Sequence, residues 1–338
     1  MSDFVPTKEQ TAFQRVISSQ PFWVTIALIA LVILMTAMEP SFGTSENVAN
    51  VTRNLAPFGI MALGMTVVII TGGIDLSVGS IMGLVVIVAG LFLTWHYPWY
   101  IAFAMGLISG LACGAVNGFF VAYVGMPSFV VTLGMLSVAR SLAVVFSANQ
   151  MLYQFGPDAP IVKAIGQAKW PRHGPEDWAP HWIPELSSQF WTMVVLALIV
   201  GFVFNFTAWA RHLFAVGGNE EAAYIAGVPI ARTKIAAYMI SGLLAALAAQ
   251  ILIGRLGAAE PILGNLWELD AIAAAAIGGA SLMGGKGSVV GTILGAVILG
   301  TMRNGLTLMN VQSFYQLLAT GLIILAAMLI DRVTRGRG

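Results

Sequence analysis

Residues 75–140 read DLSVGSIMGLVVIVAGLFLTWHYPWYIAFAMGLISGLACGAVNGFFVAYVGMPSFVVTLGMLSVAR, and between Asp75 and Arg140 there is no Asp, Glu, Lys or Arg. An ionised side chain in hydrocarbon costs several kcal/mol, so charges collect in loops and membrane-crossing runs exclude them. At about 20 residues per crossing, this stretch holds about three helices. Tyr97-Pro98 and Gly125-Met126-Pro127 punctuate it. Outward from it, further charge-free runs lie at 57–74, 186–210, 235–254, 271–285, 287–302 and 304–330. Together they predict an all-α polytopic membrane protein of about ten transmembrane helices. The expected spans lie near 22–38, 57–74, 79–95, 99–123, 129–146, 190–207, 235–254, 270–284, 288–302 and 311–330.

Composition supports this reading. The 338 residues are 58% hydrophobic and 9% charged, against roughly a quarter charged in a soluble domain, and mean hydropathy is +0.86. The net charge of +1 says nothing about partners, and no basic stripe or aromatic-and-basic interleaving suggests nucleic acid. Cys113, the one cysteine, has no partner for an intramolecular disulfide. Asp3, Lys8, Glu9 and Arg15 precede the first apolar run, and no small-residue cleavage site follows it, so that run reads as a span behind a cytoplasmic tail, 1–21. Basic residues in the tails and in a 208–234 loop, with Lys286, place both termini in the cytoplasm. The segment 147–189 carries Pro157, Pro160, Pro171, Pro175, Pro180 and Pro184 beside Trp170, Trp178 and Trp182. Its prolines break helices and its tryptophans suit a membrane–water interface, so it reads as an extracytoplasmic loop. The whole of 1–338 reads as a single transmembrane domain.

Two glycine ladders, Gly106-Gly110-Gly114-Gly118 and Gly287-Gly291-Gly295, predict faces where helices approach closely. An internal repeat is also visible. Gly72–Leu76 with Gly79–Gly83 resembles Gly278–Leu282 with Gly287–Gly291, and Asn117-Gly118 precedes Ser128-Phe129 as Asn304-Gly305 precedes Ser313-Phe314. Halves of five spans each would enter the membrane from opposite sides, giving two inverted repeats. Broken backbone at membrane depth needs a covering of protein or water. The runs 71–77 and 278–287 are therefore expected to be irregular and close to a solute pathway.

Asp75 and Arg140, isolated charges at the borders of apolar runs, are functional-site candidates on that ground. Asp75, Ser77, Asn117, Thr132 and Asn304 are the candidates for lining a polar path. Asp270 reads as an N-cap, with Glu268 near the outer mouth. No metal or cofactor is expected, because His96, His173, His181 and His212 lack ligand spacing. The run 279–288 looks like a phosphate loop but has Ala280 and Gly287 where that pattern needs Gly and Ser or Thr.

The sharpest local pattern is Gly217-Gly218-Asn219-Glu220-Glu221-Ala222-Ala223-Tyr224-Ile225-Ala226-Gly227-Val228-Pro229. Asn219 suits an N-cap, the two glutamates suit the positive end of a helix dipole, and Gly227 with Pro229 ends the helix. A helix of about two turns, roughly 12 Å long, is expected, too short to cross a bilayer.

Glu221-Ala222-Ala223 followed by Gly227 resembles the EAA-x-x-x-Gly signature of ATP-binding-cassette (ABC) importer permeases. Thr71–Gly79, Pro127–Gly134 and Glu268–Ala274 with Ile277-Gly278-Gly279 resemble the ribose- and xylose-type sugar permeases, over about 45–150 and 190–335. The resemblance implies a permease subunit in the bacterial inner membrane that makes no bond itself. Its partners would be a second permease copy in a homodimer, a periplasmic sugar-binding protein and an ABC ATPase. Glu220, Glu221, Ala222, Ala223 and Gly227 would then couple the chain to that ATPase. An ion-coupled secondary transporter of a small polar solute is the alternative, and it predicts no associated ATPase.

Overall fold

The protein is described by a computed structural model covering residues 20–172, 180 and 184–335. The tail through Ser19 lies outside the described residues, as do His173, Pro175, Trp178, His181 and Trp182. Helices occupy the predicted apolar runs: α1 Gln20–Met38, α2 Ser45–Ile70, α3 Val78–Thr94, α4 Trp99–Ala122 and α5 Ser128–Phe146. After the long loop come α7 Ser188–Phe206, α8 Ala208–Gly218, α9 Glu220–Ile225 and α10 Ile230–Leu256. The chain closes with α11 Trp267–Ile277, α12 Val289–Leu308 and α13 Ser313–Arg335.

Among the described residues, seven helices (α1, α2, α4, α5, α7, α10 and α12) are long and apolar enough to cross a membrane, while α3 has 17 residues. The run 270–284 is not one full helix. Its α11 has 11 residues, about 16 Å against a hydrocarbon thickness of about 30 Å, and the glycine-rich 278–288 beyond it is irregular. Conversely, α2 starts twelve residues before the expected 57, because Thr44 caps it by accepting from the Asn47 N–H. It carries Arg53 and Pro57 within its length. Charge spacing misplaces this boundary, since Arg53 lies near the helix end, where its guanidinium donates to Asn50.

Contacts give the direction of each helix. We call the end that carries α8 and α9 the lower end, and the end that carries 147–187 the upper. Gln20 meets Gly279 at the lower end, so α1 rises from there, and α2 descends beside α12, with Leu55 by Gly300 and Thr66 hydrogen-bonded to Thr292 at 2.6 Å. The first glycine ladder lies against α10. A Cβ on Gly110 would stand 2.7 Å from the Gly242 carbonyl, and one on Gly118 2.7 Å from the Ile235 Cα. Gly291 and Gly295 meet the Gly278 and Ala274 carbonyls in the same way. Both ladders are packing faces.

The described part of the upper segment, 147–172 with 184–187, packs on the bundle as a cap. Within it, α6 (Ala159–Gln167) presses Gly166 against Gly254 of α10, and β1 (Lys169–Trp170) pairs antiparallel with β2 (Leu186–Ser187). Asp158 accepts from the Trp99 N–H at 2.8 Å, capping α4.

Candidate functional site

Two interruptions of the helical pattern meet inside the bundle. The first begins where α2 ends at Ile70. Thr71, Gly72 and Gly73 fold their N–H groups back onto the Val68 and Ile69 carbonyls, and Gly72 adopts φ 80° to make the turn. The chain then re-enters the bundle as 74–77 before α3 starts. Side chains of α5 serve its exposed peptide groups: Ser128 accepts from the Ile74 N–H at 3.2 Å, and Thr132 donates to the Ile74 carbonyl at 3.1 Å. Asp75 is fully buried and receives Ser77 N–H (3.0 Å), Ser77 Oγ–H (2.6 Å) and Ser241 Oγ–H (2.8 Å). Asn117 donates in turn to Ser77 Oγ at 2.9 Å. A carboxylate placed at the first turn of α3 also suits that helix's positive end.

The second interruption is 257–266. Gly257 ends α10 in the left-handed conformation at φ 64°, and the chain runs back down beside α3, with Ala259 at Gly90 and Gly264 at Gly79. There α11 begins, so the first turns of α3 and α11 face each other at the centre. Arg140 holds the junction by donating to the Pro261, Leu263 and Gly79 carbonyls, beside a Gly83 that leaves it room. Next to it lies buried Glu268. Asp270, also buried, pairs with Arg303 of α12, whose guanidinium stands 5.8 Å from the Phe58 ring.

The structure thus brings together Asp75, Ser77, Asn117 and, through Ile74, Thr132. Asn304 stands apart near the upper end, where it accepts from Asn47 at 2.9 Å. Asp75, Ser77, Asn117 and Thr132 have no exposed surface in this subunit; they hold the interruption closed. Glu268 is at the centre and not at a mouth, and Asp270 sits inside the first turn of α11, behind Leu266 at the cap position. Ser241 and Arg303 complete these networks, and neither stands out in the sequence as a pathway residue. For Arg303 the signal was a lone cation inside an otherwise apolar helix.

The two glycine-rich runs paired by sequence are neighbours at one end. Gly285 N–H donates to the Ile70 carbonyl at 2.9 Å, and a Cβ on Gly284 would stand 2.9 Å from the Gly72 N. The run that opposes 71–77 from the other end is 257–266. Asn117 and Asn304 lie toward the C-terminal ends of α4 and α12, and Ser128 and Ser313 start α5 and α13.

At the lower end, Asn219 caps α9 by accepting from the Ala222 N–H at 2.9 Å, and Gly227 turns the chain at φ 76°. The helix has six residues, about 9 Å, shorter than expected. Ala223 is buried, whereas Tyr224 and Ile225 are 74% and 81% exposed. Glu220 pairs with Lys234 of α10 at 2.7 Å. Just before α9, Gly217 presses on the Ile70 carbonyl and stands 2.6 Å from the Gly285 N, measured from an ideal Cβ. A polar cavity of about 550 Å³ lies between the first interruption and this loop, bordered by Gly73, Ser128, Asn219 and Lys234.

Residues 47–328 match the family described as the branched-chain amino acid transport system / permease component. The chain belongs to this permease family. Among its relatives, the permease is 39% identical to the ribose import permease protein RbsC of Bacillus subtilis (strain 168), over 91% of each chain. It is 37% identical to the ribose import permease protein RbsC of Escherichia coli (strain K12), over 90% of this chain and 92% of that one. The xylose transport system permease protein XylH of the same strain is 33% identical, over 98% of the permease and 97% of its own length. No solved structure matches the permease.

Proposed function

We propose that the permease is the membrane-spanning subunit of an ABC importer for a small sugar, moved by a separate ATPase that docks on α9. The observation that carries this reading is α9 itself. A capped helix too short to be stable alone is anchored by Ala223 and the Glu220–Lys234 pair and presents Tyr224 and Ile225 outward. Relatives named for ribose and xylose support the substrate class. In this reading the lower end faces the cytoplasm, the chain crosses the inner membrane ten times with 257–277 as one composite crossing, and a periplasmic sugar-binding protein meets the upper cap. A second copy of the permease completes the transporter.

Asp75, Ser77, Asn117 and Thr132 act in it by holding the first interruption, which moves when α9 moves. The test is co-purification in mild detergent. Wild-type permease should retain an ABC ATPase, and Ile225→Glu or Glu221→Lys should lose both the ATPase and sugar uptake at unchanged abundance. Uptake driven by an ion gradient with no ATPase retained would favour the ion-coupled alternative and remove the coupling role of α9.

A further inference from the structure

A second cavity is separate from this machinery. It is an apolar cleft of about 780 Å³ between α7 and the first turns of α12, bordered by Met193, Leu198, Phe202, Phe206, Phe214 and Ile293. Both helices pack on α2 but leave the cleft open between them, and Leu198 and Phe202, at 69% and 61% exposed, continue its apolar lining onto the outer surface of the bundle. Two basic residues adjoin its lower lining in the chain. Arg211 lies one turn before Phe214 on α8, and its guanidinium donates to the carbonyl of Thr207, which directly follows Phe206. Exposed Lys286 precedes Gly287 and Ser288, which also line the cleft. There is no Asp or Glu in 186–219 or 271–308. The positive end of the α12 dipole opens on the same mouth.

We propose that this cleft is a binding site for one anionic phospholipid, its acyl chain lying along α7 and its phosphate between Arg211 and Lys286. An apolar slot with a basic mouth matches the two-part chemistry of such a lipid. A second protein copy would not require a basic mouth beside an apolar wall. Basic residues near a membrane surface each attract anionic lipid by about fivefold in affinity.

Gly201 supplies a clean test. It lines the cleft, and a Cβ built there meets nothing within 4 Å, so Gly201→Phe fills the slot without forcing the bundle apart. Full-length permease would be exchanged into vesicles of phosphatidylglycerol and phosphatidylcholine, re-extracted, and its retained lipid weighed by native mass spectrometry. Wild type should retain one phosphatidylglycerol per chain in preference to phosphatidylcholine. The double variant Arg211→Gln, Lys286→Gln should lose that preference, and Gly201→Phe should retain neither lipid, with each variant eluting as the folded wild type does. Equal retention in wild type and Gly201→Phe, or no preference for the anionic lipid, would overturn the proposal. A change of oligomeric state in Gly201→Phe would overturn it in favour of a protein occupant.

Discussion

Asp75 receives three hydrogen bonds inside the bundle, so its substitutions separate charge from bonding. In Asp75→Asn the amide oxygen still accepts from Ser77, and the Ser241 hydroxyl can rotate to accept from the amide nitrogen. The expected loss is about 1 kcal/mol. In Asp75→Leu the Ser77 N–H, the Ser77 hydroxyl and the Ser241 hydroxyl all lose their acceptor in a dry site, at about 1–3 kcal/mol for each group left unsatisfied. Thermal unfolding in detergent should therefore place Asp75→Leu well below Asp75→Asn, and equal midpoints would refute the network. Asp75 and Arg140 could be picked out in the sequence because a charge at the border of an apolar run needs a reason. Ser241 could not, since a serine in an apolar helix gives no sign of a partner 166 positions away. Arg303 is hidden by the same rule, because charge spacing ends a span at 302, one residue before a cation that pairs with Asp270.

Among the described elements, α4 and α10 share the most extensive contact, and it follows directly from the glycine ladder. A Cβ on Gly114 would stand 2.9 Å from the Met239 Cα, and backbone cannot rotate aside as a side chain can. Gly114→Leu should thus cost more than the usual 1–3 kcal/mol of overpacking, seen as loss of folded yield. Gly134→Ala on the open face of α5, where a Cβ meets nothing within 4 Å, should leave that yield unchanged. The ladders were legible because close approach admits only small residues at every fourth position. The half-length of α11 was not. An apolar run free of charge reads as one crossing whether or not its backbone is continuous, and 257–266, with Glu260 and Pro261, reads as an ordinary loop although it lies along α3.

For the whole molecule, the alternation of helix directions puts the upper cap and α9 on opposite ends. In a Cys113→Ala background, a cysteine beside Trp170 should react with an impermeant reagent added outside intact cells, and one at Ala222 only after the inside is opened. Labelling of both from one side would contradict the arrangement. Most of the long apolar helices could be read from charge alone, but the meeting of the two interruptions could not, because glycine pairs recur in any tightly packed membrane protein. Only the contacts between α3 and α11 show which two interruptions oppose each other. The seat of Gly217 on the Ile70 carbonyl, with Gly285 beside it, has a mechanical consequence. Where side chains separate two elements, rotamer changes and small gaps absorb the first fraction of an ångström of any push. Here main chain bears on main chain, like gear teeth cut without backlash, so a displacement of α8 would be felt at the end of α2 and at the 278–288 turn together.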